Sequence, residues 1–268
     1  MNTDYVHGYT ERESIRLEDQ ANCLNNLLHY DSVFPADSIV LEAGCGVGAQ
    51  TKIVAPKNPF TKFISIDISD DSIFKARQTL KSKAINNVEF QTGNIFDLKF
   101  PDGFFDHVFI CFVLEHLPNP LDALKALKRV LKKGGTITLI EGDHGSAYFH
   151  PYSPYAQAAI QAQVTLQSRC GGNALIGRQL YPLLTESGYA DCKVSPRMVY
   201  ADSSKPHLVQ GFTINTFTAM IEGVKDQVIS SSIIDINTFE KGVQDLYRTS
   251  HPDGVFCYTF FKGIGYNL

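Results

Sequence analysis

Ile39-Val40-Leu41-Glu42-Ala43-Gly44-Cys45-Gly46-Val47-Gly48-Ala49-Gln50-Thr51 decides the fold of this chain of 268 residues. It reads as strand, tight loop and helix start. Ile39 to Leu41 make a short apolar run fit for a strand buried on both faces, and glycines at alternate positions then let the backbone turn sharply and approach a ligand closely. Glu42 breaks the apolar run. A carboxylate at the end of a buried strand is costly unless it meets a positive or donor group, and a ligand amine would be such a partner.

Outward from this stretch, strand alternates with helix. Phe63-Ile64-Ser65-Ile66-Asp67 is a second apolar strand ending in an acid, placed to accept hydrogen bonds from ribose hydroxyls. Ser69-Asp70-Asp71-Ser72 opens a helix, Val88-Glu89-Phe90-Gln91 reads as a third strand, Phe105 to Cys111 as a fourth and Thr136 to Glu141 as a fifth. Between the last two lies an amphipathic helix from Pro120 to Leu131, stopped by Lys132-Lys133-Gly134-Gly135. The alternation predicts a parallel sheet. Gly44-x-Gly46-x-x-Ala49 with Asp67 fits either a dinucleotide or an adenosine-bearing ligand, so a nicotinamide-dependent oxidoreductase stands as an alternative at this point.

Glu42, the third glycine Gly48, Gly93-Asn94-Ile95 and the run Phe109-Ile110-Cys111-Phe112-Val113-Leu114-Glu115-His116-Leu117 together resemble the class I S-adenosylmethionine-dependent methyltransferases. The resemblance spans roughly residues 35–143 and implies an α/β fold. That fold is a Rossmann-like, seven-stranded, mostly parallel sheet with helices on both faces, an antiparallel last strand and a helical cap. It also implies S-adenosyl-L-methionine as the cofactor. Gly44, Gly46 and Gly48, flanked by Glu42 and Gln50, match the loop that packs against the aminocarboxypropyl part. Asp67, followed by Ile68, matches the ribose acid; Asn94 and Ile95 match the adenine segment, and Phe112 and Val113 match the lining near the reacting centre. The family often has Asp where Asn94 stands, and an amide still donates and accepts. Glu141 to Ser146 and Gly177 to Pro182 look like segments of methyltransferases acting on small natural products such as prenylated indole alkaloids or dithiol metabolites. A non-catalytic cofactor-binding protein is a further alternative.

A net charge of -4, with no polybasic run, argues against a nucleic-acid substrate and for a small-molecule acceptor. The 6 cysteines are scattered without metal-ligand spacing, and no metal is expected. The first residues lack a signal-peptide pattern and no apolar run reaches membrane-spanning length, so a cytoplasmic location without a membrane partner is expected.

The segments predict their own division: a helical arm or lid over 1–34, a cofactor-binding core over 35–146, a cap insertion over 147–177, core again over 178–205, a helical cap over 206–250 and a final core strand over 251–268. In the arm, Ile15, Leu17, Ala21, Leu24, Leu27 and Leu28 form a helical stripe. Tyr9 and Arg16 are candidates to close over the cofactor, Arg16 by pairing with its carboxylate. The arm buries the same stripe over its own pocket or a neighbour's, which leaves oligomerisation through it open. His144, just past the fifth strand, is the candidate catalytic proton acceptor, since imidazole titrates near neutrality. The other reading of Asp143 and His144 is a cap on the next helix.

Overall fold

The computed structural model describes residues 11–268. Its strands are β1 (Ile39–Ala43), β2 (Lys62–Asp67), β3 (Val88–Thr92), β4 (Phe105–Cys111), β5 (Leu131–His150), β6 (Ala190–Ala201) and β7 (Val255–Tyr266). They form a seven-stranded sheet in the order β3-β2-β1-β4-β5-β7-β6. Pairings β1–β2, β1–β4, β2–β3 and β4–β5 are parallel. Along β7 the order reverses: Gly134 N donates to Asn267 O and Asn267 N to Gly135 O, whereas Thr259 N donates to Ser146 Oγ, so β7 runs antiparallel to β5. The sheet is mixed, as the family resemblance implies.

The helices that matter for the site are α1 (Glu11–His29), α2 (Thr51–Lys57), α3 (Asp70–Ser82), α4 (Pro120–Val130), α5 (Pro154–Arg169) and α6 (Leu180–Glu186). Local chemistry sets their starts. Ser69 Oγ accepts from Ser72 N at the head of α3, Ser153 Oγ from Ala156 N at the head of α5, and Pro120 opens α4, where its missing N–H costs nothing.

The chain divides into two compact units. One comprises residues 28–141, 176–196 and 261–268 and holds the parallel part of the sheet. β1 is apolar at every position but Glu42 and is buried from Val40 to Ala43, because both of its faces are covered. Leu41, Ile64, Ile66, Val108, Ile110 and Leu139 pack into one cluster with Leu124 and Leu127 of α4 and Leu180 and Leu184 of α6. The alternate positions serve the other face, where Phe63, His107 and Phe109 make ring contacts with Phe34, and Phe109 also with His29.

The other unit comprises residues to 27, 142–175 and 197–260. Here α5 packs on the helix Ile236–Arg248, and Gly242 permits the approach, because a Cβ there would collide with the Tyr155 carbonyl. The stretch expected to be ordinary helix after residue 206 contains a π-helical segment, Val209–Thr218, which buries Phe212 and Phe217. Unit boundaries fall at 27/28, 141/142, 175/176, 196/197 and 260/261. Three of these boundaries fall within β5, β6 and β7. Among the described residues no helix is long and apolar enough to cross a membrane.

Candidate functional site

The loop after β1 is held open by hydrogen bonds from its own backbone. Gly44 N and Cys45 N both donate to Ile66 O, at 2.8 and 3.0 Å, and Gly46 N donates to Asp67 Oδ2 at 2.8 Å. Asp67 Oδ1 accepts from Ser69 N at 3.0 Å. One carboxylate at the end of β2 thus fixes both the glycine loop and the entry to α3, and it retains acceptor capacity, since a carboxylate has about four lone-pair sites. Burial raises the Asp67 pKa, and the backbone donors oppose that rise.

Gly44 and Gly46 lie in the left-handed region, at φ +80° and +52°. At Gly46 no heavy atom of the described residues, its chain neighbours aside, lies within 4 Å of where a Cβ would stand, which leaves room for a ligand to reach the backbone there. Ile68 follows, with 64% of its surface exposed, and presents an apolar face beside the acid. Asn94 is exposed and its Oδ1 accepts from Phe96 N at 2.9 Å, while Ile95 is buried. Gly93 N donates to Asp67 O at 2.9 Å, tying the third strand's loop to the second's. An open glycine cradle, an anchored acid and an exposed apolar side chain fit an adenosine bearing a polar tail.

Glu42 is buried, and its Oε2 accepts from Thr51 Oγ1 at 2.8 Å and Ser65 Oγ at 2.6 Å. Burial pushes its pKa up to about 7, against the pull of those two hydroxyls. The amine sought as its partner in the sequence is therefore not its sole support. Gln50 Oε1 meets His29 Nε2 at 2.8 Å.

The loop after β4 turns on Phe112, which sits at φ 59° and donates its N–H to Ile140 O at 2.9 Å. Val113 N and Leu114 N both donate to Glu141 Oε1, at 3.0 and 2.8 Å. Glu141 is fully buried, and its Oε2 has no hydrogen-bond partner among the described residues. Burial, then the charge of Glu115, raise its pKa well above the usual carboxylate range. Two consecutive residues within β5 thus hold this loop, Ile140 through its carbonyl at Phe112 and Glu141 through its carboxyl at Val113 and Leu114.

In the other unit, His144 does not cap a helix. β5 continues through it, Asp143 Oδ1 accepts from Gly145 N at 3.0 Å, and His144 Nδ1 lies 2.7 Å from the Tyr258 hydroxyl. Gly142 makes this pairing feasible, since a Cβ there would collide with that hydroxyl. The imidazole also packs edge-on against Phe217, with centroids 6.0 Å apart. Arg16 Nη1 lies 3.5 Å from Gln20 Oε1, one turn along α1. Tyr9 lies outside the described residues.

Residues 41–139 match the family model described as a methyltransferase domain. Over those residues the chain carries a methyltransferase domain. It is 36% identical over 147 residues to an uncharacterized methyltransferase of Schizosaccharomyces pombe, covering 53% of this chain and 52% of that protein. With a demethylmenaquinone methyltransferase of Lactococcus lactis it shares 38% identity over 106 residues, 39% of this chain and 42% of the relative. The chain thus spans about half the length of these curated relatives. Among solved structures, the YcgJ protein from Bacillus subtilis aligns with a TM-score of 0.57 at 17% identity, over 90% of this chain and 97% of that one, a likeness of fold.

Two residues beside these loops have structural roles that the sequence alone does not assign. His29 lies in the last turn of α1, where a histidine reads as a helix-end cation, yet it is buried. Glu141 was visible as an acid at a strand end, but its hold on the loop after β4 depends on strand neighbours 27 and 28 positions apart in sequence.

Proposed function

We propose that the chain transfers a methyl group from S-adenosyl-L-methionine to a small-molecule acceptor. The observation that carries this reading is the Gly46–Asp67 hydrogen bond beside open space, within a methyltransferase domain. Gly44 to Gly48 would pass the aminocarboxypropyl tail, Asp67 would take the ribose hydroxyls, and Asn94 and Ile95 would border the adenine. Glu42 and Gln50 would flank the tail, with Ile68 beside the ribose and Phe112 and Val113 near the reacting centre. Bound there, the cofactor supplies an activated methyl group on a sulfonium, so the protein's main task is alignment.

A proton acceptor is needed only when the acceptor's nucleophile is protonated, and His144 takes that role. For its Nε2 to accept, Nδ1 must carry hydrogen and donate to the Tyr258 oxygen. The name of the Lactococcus relative supports a small organic acceptor, as does the absence of polybasic runs. An intracellular, cytoplasmic setting and an arm contributed by α1, with Tyr9 and Arg16, belong to the same proposal.

The test is calorimetric titration with S-adenosylmethionine, S-adenosylhomocysteine and NADH, followed by labelled-methyl transfer to a panel of phenols, quinols, thiols and indoles. Binding of the sulfur cofactors and transfer to one acceptor class is the expected result. Binding of NADH alone would overturn the proposal, and tight cofactor binding without transfer to any acceptor would favour a non-catalytic binder.

A further inference from the structure

His29 sits at the centre of a buried hydrogen-bond chain that runs from β7 to the glycine loop. Lys262, 2% exposed on β7, donates to Asp31 Oδ1 at 2.7 Å and to Ser32 Oγ at 3.0 Å. Ser32 Oγ lies 3.2 Å from His29 Nδ1, and His29 Nε2 lies 2.8 Å from Gln50 Oε1.

The Gln50 oxygen, which can only accept, gives the chain its direction, and the other groups agree with it. An ammonium only donates, so the Ser32 oxygen accepts from Lys262 and its own proton is available to His29 Nδ1. Nδ1 then accepts, Nε2 carries the hydrogen, and that hydrogen goes to the Gln50 carbonyl oxygen. Burial lowers the His29 pKa to about 4, which keeps the ring neutral near pH 7 and preserves this polarity. The ring is also fixed edge-on to Phe109, with centroids 5.9 Å apart. Gln50 follows Gly48 by two positions and is half-buried. Its Nε2 makes no hydrogen bond among the described residues.

We infer that His29 is a positioning residue for the cofactor: by occupying the Gln50 carbonyl, it leaves the Gln50 amide NH2 as the end offered to the α-carboxylate of the aminocarboxypropyl tail. The inference rests on the cofactor reading above and adds a residue and a polarity to it. Its consequence is selectivity for the amino-acid end of the ligand, because an amide NH2 favours a carboxylate and an amide oxygen repels one.

The experiment compares S-adenosylhomocysteine with 5′-methylthioadenosine, which shares the adenosine and thioether but lacks the amino acid, on the full chain. Gln50→Glu and His29→Phe should each weaken S-adenosylhomocysteine about tenfold or more, with less than about threefold change for 5′-methylthioadenosine. His29→Gln, whose amide NH2 replaces the Nε2 donor, should recover most of the affinity. Nitrogen-15 spectra of labelled histidine should show His29 as the Nε2–H tautomer from about pH 6 to 8.

An Nδ1–H tautomer, or equal weakening of both ligands in Gln50→Glu, would overturn the inference. If His29→Phe fails to fold, Gln50→Glu and the tautomer decide alone. A wild-type chain that binds neither ligand removes the cofactor reading itself, whereas wild-type binding with unchanged selectivity in the variants removes the His29 role and leaves that reading standing.

Discussion

Gly44 and Val113 are packed so closely that a Cβ on the glycine would lie 2.9 Å from Cγ1 of the valine and nearer still to Cγ2. The loop after β1 and the loop after β4 therefore touch backbone to side chain, beside the proposed cofactor site. Gly44→Ala must both displace Val113 and hold an L-residue at φ +80°. The two costs, overpacking and backbone strain, together destabilise by about 2–4 kcal/mol. Chemical denaturation of the variant beside wild type reads this directly.

Gly46→Ala separates folding from binding. With no heavy atom of the described residues, chain neighbours aside, within 4 Å of the added methyl, only the strain at φ +52° falls on stability, about 1 kcal/mol. The methyl instead fills the space assigned to the ligand. The expected outcome is a nearly normal melt with at least about tenfold weaker S-adenosylhomocysteine binding, about 1.4 kcal/mol; unchanged affinity would place the cofactor elsewhere.

Asp67→Asn keeps one acceptor oxygen but removes the charge and one of the anchors to Gly46 N and Ser69 N. Cofactor affinity should fall by about tenfold or more, and Asp67→Ala should fall further. Adenosine carries the same ribose, so its binding should weaken in parallel; an adenosine affinity that stays at the wild-type value would show that Asp67 does not hold the ribose.

Glu42 links the site to pH. Its folded pKa, about 7, lies above the ordinary value of 4.5, so the buried carboxyl is easiest to keep when protonated. Its contribution to stability is therefore full below about pH 4.5 and is lost as pH rises through 7, a change of roughly 3 kcal/mol. Glu42→Gln, which keeps an oxygen for Thr51 and Ser65, should flatten this part of the stability–pH curve. Its melting temperature should exceed that of wild type near pH 8 in the absence of ligand. A parallel pair of curves would show that Glu42 titrates as an ordinary carboxylate.

Tyr258→Phe removes the partner of His144 Nδ1 at 2.7 Å and leaves the ring packing intact. For an acceptor that must lose a proton, His144→Ala should lower kcat by about 100-fold or more, with Tyr258→Phe intermediate. An acceptor already deprotonated should be methylated by both variants near the wild-type rate. Equal losses on both kinds of acceptor would make His144 a packing residue.

The amino-acid sequence by itself determined the alternation of strands and helices, the glycine loop after β1 and the acid after β2. These are local signals: short apolar runs, turn glycines and capping residues act within a few positions of one another. The match to a methyltransferase domain over residues 41–139 follows the same stretch. Tertiary structure alone decided that Glu141 holds the backbone at Val113 and Leu114, that Gly142 makes room for the Tyr258 hydroxyl beside His144, and that Lys262, Ser32 and His29 determine which end of Gln50 is occupied. Most of the partners in those relationships lie far apart in sequence, and buried polar atoms choose among distant partners by geometry and desolvation, terms that local propensity does not contain.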